Sequence, residues 1–342
     1  EMCIRDRFSL DWTISYRTID EHSRATSQQA FLRNVRRGEA YQALAPGLWD
    51  VTFQTAVAQA ELEARDYPGH YHRVAFHRPD GSPIFIETTR PELIPACVAL
   101  IAHPDDERYA ALFGSTVTSP LFDVELPVLA HPAAEPDKGA GIAMCCTFGD
   151  LTDVLWWREL SLPTRSLVTR TGRLQAETPD WLHGAGAELY AANVAGATAY
   201  GAREAIVAAL RESGDLDGEP TPTQRKTNFY ERGEKPLEIV TSRQWYIRNG
   251  GRDEGLNEAF VGQGQQIGFH PPFMRARYAN WVSGLNGDWL VSRQRFFGVP
   301  IPIWYAVDAA GEVDYERPIL PEESQLPVDP AASAPPGYTE DQ

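Results

Sequence analysis

The spacing of apolar and polar positions predicts a helix first, then a long run of short strands. Thr26-x-x-Gln29 has the form of a capping box, Phe31, Leu32 and Val35 fall on one face behind it, and Gly38 is placed to stop the helix. After Tyr67-Pro68-Gly69 the pattern turns to β. Residues 71–78 and 83–88 flank Pro79-Asp80-Gly81-Ser82, which reads as a hairpin with its turn. Residues 122–126 alternate like a half-buried strand, and the apolar run 141–147 reads as a core strand. Leu167-Val168, Thr171-Gly172 and Arg173-Leu174 suggest another hairpin. Asp150 and Asp153 stand at N-cap and N3 of a helix expected over residues 151–160, with Trp156-Trp157 packing it on its sheet. Residues 200–212 put Ala202, Ile206, Ala209 and Leu210 on one face, and Gly214 ends that helix. This alternation predicts a compact β-barrel-like domain over residues 68–222. Residues 215–222 read as an acidic linker, and residues 319–342, rich in Pro, Ala and acids, as a loop.

A chain of 342 residues buries a large core and suggests two domains. Hydrophobic content of 43% and charged content of 23% are those of ordinary globular proteins. No apolar run is long enough for a membrane helix and no secretory signal opens the sequence, so the cytoplasm is the expected compartment. A net charge of −16 argues against general attraction to nucleic acid, yet leaves room for recognition of one RNA by local patches. Cys3, Cys97, Cys145 and Cys146 form no C-x-x-C pair and have no His at ligand spacing; reduced, buried thiols fit better than a zinc site. His103-Pro-Asp105-Asp106 reads as a turn rather than a metal cluster.

The candidate chemistry lies in Thr88-Thr89-Arg90-Pro91-Glu92 and, some sixty residues on, Asp150-Leu-Thr-Asp153. Two hydroxyls and a guanidinium can hold a ribose and a phosphate or carbonyl. Two carboxylates at i, i+3 can hold an ammonium and a hydroxyl. Each motif also has a plain structural reading, a strand running into a turn and a helix start, and both roles can hold at once. No Ser–His pair or metal cluster points to covalent or metal catalysis.

In order and spacing these motifs resemble the large class I aminoacyl-tRNA synthetases, and Glu92 after Thr-Thr-Arg-Pro favours the valyl form over the isoleucyl or leucyl forms. Asp11-Trp12 with Tyr16-Arg-Thr18, residues 55–61, and the stretch 288–305 through Ser292-Arg293-Gln294 and Pro300-Ile-Pro-Ile-Trp304 are similar to other parts of that family. The resemblance implies an α/β fold in which a β-barrel-like editing domain is inserted into a Rossmann-type catalytic domain. Its expected layout is a non-native or divergent leader at 1–7, catalytic-domain segments at 8–67 and 223–342, and the editing domain at 68–222. It implies ATP-dependent charging of a valine-accepting tRNA, with Mg2+, in the full enzyme. It also implies cofactor-free hydrolysis of misattached threonine in the editing domain. Asp150, Asp153, Thr88, Thr89 and Arg90 would be catalytic, with Asp153 on the substrate ammonium and Asp150 on the threonine hydroxyl or the water. Glu92 and Phe297 would bind substrate, Phe297 flooring the valine pocket.

The family's H-I-G-H and K-M-S-K-S motifs are missing, and Gly69-His70-Tyr71-His72 opens a hairpin rather than a helix, so an internal piece of a longer enzyme is expected. Met144 and Gly149 stand where many relatives carry Lys and His, and Arg90 is the expected substitute cation. The rival from another class is a tRNA-binding module without catalysis.

Overall fold

The structure, a computed structural model, describes residue 11 and residues 13–340 apart from Ser333 and Pro336. The expected leader at 1–7, Cys3 and Trp12 lie outside the described residues. The chain forms two compact units, one of Leu44–Arg243 and one made of the residues up to Ala43 with those from Gln244 on.

The first unit is built on a seven-stranded sheet. Its strands are β1 (Leu62–His77), β2 (Pro83–Thr88), β3 (Cys97–Ala102), β4 (Thr116–Thr118), β5 (Glu125–Ala130), β6 (Ile142–Cys146) and β7 (Thr221–Tyr230). They run in the order β2-β1-β4-β5-β3-β6, with β7 also paired to β1. β3 and β5 are parallel and the other pairs antiparallel. The end strands β2 and β6 approach one another, so the sheet curls towards a barrel. The expected hairpin is present, from His72↔Thr88 to His77↔Pro83, and Gly81 takes φ +80° at its tip. β1 starts earlier than the pattern suggests, running straight through Tyr67-Pro68-Gly69 because its first ten residues pair with β7 from Leu62↔Tyr230 to Tyr71↔Thr221.

Helices α1 (Leu151–Glu159), α2 (Gly184–Asn193) and α3 (Ala199–Ser213) complete this unit. Trp156 anchors α1 against Val98, Ala99, Ile101 and Cys145 of the sheet, and Trp157 packs at the margin, as the sequence suggested. Ala202, Ile206 and Leu210 of α3 are buried, and Gly214 closes it at φ +83°. Cys97, Cys145 and Cys146 are buried free thiols.

Other local readings shift. Phe122, Val124 and Leu126 are buried in alternation, but the strand begins only at Glu125. Leu121 and Asp123 take positive φ, and Ser119 exchanges two hydrogen bonds with Val124, which makes a turn instead. The second hairpin reduces to one bridge, Val168↔Leu174. The stretch read as a linker is tied to β1 by the Leu216↔Val74 bridge and by Asp217–Arg73 and Asp215–His77 contacts of 2.7 and 2.8 Å. His103 accepts from the Asp105 N–H in a turn, as expected.

In the second unit the helix Glu21–Arg36 starts five residues before Thr26, because Asp20 caps it by accepting from the Ser23 N–H at 2.7 Å. Thr26 instead donates to the His22 carbonyl within the helix. Phe31 and Val35 pack on Trp245, Ile303 and Tyr305, and Gly38 takes φ +72° just past the helix. The tail read as a loop contributes the strand Tyr338–Glu340, paired with Trp304–Val307. No described helix is long and apolar enough to cross a membrane.

Candidate functional site

β2 delivers the threonines. Thr88 ends the strand opposite His72, buried, with its carbonyl 3.3 Å from His72 Nδ1 and its hydroxyl accepting from the Arg90 N–H at 3.0 Å. That hydroxyl fixes the turn out of the strand. Thr89 is half-buried, and its hydroxyl makes no hydrogen bond among the described residues.

The turn leads into a 3-10 helix, Pro91–Ala96, every residue of which is buried. Glu92 within it has no exposed surface. Its carboxylate accepts from Arg90 Nε at 3.0 Å and from Arg203 Nε and Nη2 at 2.8 and 2.7 Å. Arg90 also donates through Nη2 to Glu238 at 2.8 Å and through Nη1 to the Gly149 carbonyl at 3.2 Å. Burial works against the charged form of Arg90, and Glu238 and Glu92 more than reverse it, holding the guanidinium protonated. Burial likewise works to raise the Glu92 carboxyl, and Arg203 and Arg90 hold it below its usual range. The result is a neutral lattice of two guanidiniums and two carboxylates behind the threonines.

The Arg90–Gly149 bond joins the two sequence motifs, since Gly149 immediately precedes the aspartates. Asp150 caps α1, one oxygen accepting from the Thr152 and Asp153 N–H groups at 2.8 and 3.0 Å. Asp153 answers from N3, with Oδ2 accepting from the Gly149 and Asp150 N–H groups at 2.8 and 3.2 Å. Each carboxylate therefore commits one oxygen to the helix start; the other has no hydrogen bond among the described residues. Asp150 is exposed and Asp153 is buried at 6% exposure. Burial, reinforced by the negative Asp150, pushes the Asp153 carboxyl well above its ordinary value. Among the described residues no cationic side chain is bonded to the Asp153 carboxylate, and a positive group placed against it would offset the cost of its burial.

Gly149 leaves room for this arrangement. A β-carbon there would sit 2.6 Å from Asp153 Oδ2 and 3.3 Å from Leu93 Cδ1, displacing the carboxylate from its two N–H donors. Met144 is half-buried on β6 and brings no charge to the site. Phe297 is 70% exposed and belongs to the second unit. Among the described residues no group of three or more His, Cys, Asp or Glu side chains could hold a metal ion.

Sequence reasoning missed Arg203 and Glu238. Their signals are faint. Arg203 borders the apolar stripe of α3, and Glu238 opens a strand, Glu238–Ile247, whose next two residues are buried.

Residues 6–325 match the family described as tRNA synthetases class I (I, L, M and V). Three similar relatives bear the name valine–tRNA ligase. Those of Bifidobacterium longum (strain DJO10A), Cutibacterium acnes and Thermobifida fusca are 65%, 66% and 63% identical, each over 98% of this chain. The chain spans 37–38% of the length of these relatives. With a family match across most of its length, the chain belongs to the class I tRNA synthetases.

Proposed function

We propose that this chain is part of a cytoplasmic valine–tRNA ligase, and that its Leu44–Arg243 unit holds the site that hydrolyses threonine misattached to the valine-accepting tRNA. The observation that carries the reading is the Arg90–Gly149 bond, which sets the threonine-bearing turn against the buried Asp153. Shape alone rejects threonine at a valine pocket by only about a hundredfold, a figure established for this enzyme class and not worked out from this structure. A second site that satisfies the extra hydroxyl can discriminate in the opposite sense, because valine leaves its polar groups unpaired.

In this reading Asp153 takes the substrate ammonium and Asp150, through its uncommitted oxygen, orients the water or the threonine hydroxyl. Thr89 meets the terminal ribose, while Thr88, Arg90 and Glu92 brace the wall. The water oxygen bonds to the ester carbonyl carbon, the bond from that carbon to the ribose oxygen breaks, and the departing oxygen takes a proton. The products are free threonine and tRNA. The ester is already activated, so positioning supplies most of what is needed. Domain layout follows the same reading: a proofreading insertion within a Rossmann-type domain. In the full-length enzyme ATP, with Mg2+, would supply the energy for charging; no residue of this chain is assigned to them.

The test is direct. The purified chain should release threonine from threonyl-tRNA and leave valyl-tRNA intact. Binding of both without hydrolysis of either would replace this reading with a non-catalytic tRNA-binding module.

A further inference from the structure

Arg225 on β7 has no place in the lattice described above, although it lies beside it. Glu238, which grips Arg90, follows directly on Leu237, whose N–H donates to the Asn228 carbonyl of β7 at 2.9 Å. Residues 225–228 therefore run next to the Arg90–Glu238 pair. Along β7 burial alternates: Thr223, Arg225 and Thr227 are half-buried, whereas Gln224 and Lys226 are exposed. Arg225 thus points to the covered face, and its charged neighbours are Arg90, Arg203, Asp150 and Glu92. Among the described residues it makes no hydrogen bond or ion pair. Two residues on, along the same face, the Thr227 hydroxyl is also buried without a partner.

An arginine partly withdrawn from water without an anion is costly. Burial, with the positive charges of Arg90 and Arg203, disfavours its protonated form. Those two arginines are matched by Glu92 and Glu238. Arg225 is bonded to no carboxylate among the described residues, although Asp150 is a charged neighbour, so its guanidinium donors are open to an anion. Aminoacyl-tRNA presents one phosphodiester charge per nucleotide, and a planar guanidinium binds such a group through paired donors. The ester carbonyl carries a charge only in the transition state.

We infer that Arg225 is a further binding residue of this site, holding a backbone phosphate of the 3′-terminal nucleotides of the RNA. This rests on the proofreading reading for the identity of the RNA, but its test does not require hydrolysis.

The experiment compares wild type, Arg225→Gln, Arg225→Lys and Lys226→Gln. The probe is the deacylated valine-accepting tRNA, titrated by fluorescence anisotropy over a range of salt. Arg225→Gln should weaken binding about tenfold and flatten the slope of log affinity against log salt by roughly 0.7–0.9, the loss of one phosphate contact. Arg225→Lys should recover most of the affinity, and Lys226→Gln, which removes an exposed charge paired with Asp66, should change little. Arg225→Gln should melt no lower than wild type, because no internal partner is lost. In threonyl-tRNA hydrolysis the effect should fall on KM with kcat kept. Unchanged binding and salt slope in Arg225→Gln, equal weakening in Lys226→Gln, a lowered melting temperature, or a fall in kcat alone would each overturn the inference. A wild-type chain that binds the tRNA yet hydrolyses nothing would overturn the proofreading reading, and the binding arm would still decide the role of Arg225.

Discussion

Replacing Glu92 by Gln keeps the volume of the side chain and removes the buried charge that Arg90 and Arg203, both half-buried, share. The structure sets the magnitude. Glu92 is fully enclosed and accepts three charge-assisted bonds, at 3.0, 2.8 and 2.7 Å, from Arg90 and Arg203. In the variant one amide oxygen remains as acceptor, and the new NH2 group faces arginine donors. Arg90 retains Glu238, but the half-buried Arg203 loses its only bonded carboxylate among the described residues. Removing one partner of a buried ion pair costs about 3–5 kcal/mol. For a unit of this size that corresponds to a melting temperature lower by roughly 6–20 °C. Thermal unfolding by circular dichroism, with a denaturant midpoint at constant m, measures it. The acid limb provides a second check. The Glu92 carboxyl is held below its ordinary value of 4.5, so its contribution is complete above that pH and fades as pH falls through the lower folded-state value. The variant should lack that part of the acid loss. A destabilisation under about 1 kcal/mol with an unchanged acid limb would refute the view that Glu92 holds the site wall together.

Two further outcomes are expected. Valine-dependent ATP–pyrophosphate exchange should stay at background for this chain, because the two ATP-site motifs are absent from its sequence, and exchange above background would contradict that. Limited proteolysis should release a resistant core close to Leu44–Arg243, whereas even cutting across that span would contradict an independently packed unit.

The parts of the fold legible in the sequence were those fixed by local chemistry. Pro79-Asp80-Gly81-Ser82 dictates a turn, Gly214 a helix stop, and Asp150 with Asp153 a helix start, and each is present. What escaped depends on distant partners. Nothing local to residues 62–70 shows that β7, far along the chain, will pair with them and extend β1. Thr26-x-x-Gln29 has the form of a cap but lost to Asp20, a stronger acceptor one turn and a half earlier. The same division runs through the site. The Thr-Thr-Arg and Asp-x-x-Asp motifs are visible in the sequence, but the lattice beside them adds Arg203 and Glu238, which stand on separate elements. Glu92 illustrates the limit most clearly: its sequence position suggests a substrate contact, and the structure encloses it completely between Arg90 and Arg203.

The central claim is that Asp153 serves the substrate as well as the helix, and Asp153→Asn separates the two. The amide keeps an oxygen for the Gly149 and Asp150 N–H groups, so the cap survives. It removes the negative charge that would meet the ammonium, an interaction of roughly 1.5–3 kcal/mol. Because burial has raised the Asp153 carboxyl, loss of the charge should not lower stability. Hydrolysis of threonyl-tRNA by the variant should therefore fall about tenfold to a hundredfold with the melting temperature maintained. Hydrolysis at the wild-type rate would make Asp153 a helix cap alone and place the ammonium elsewhere.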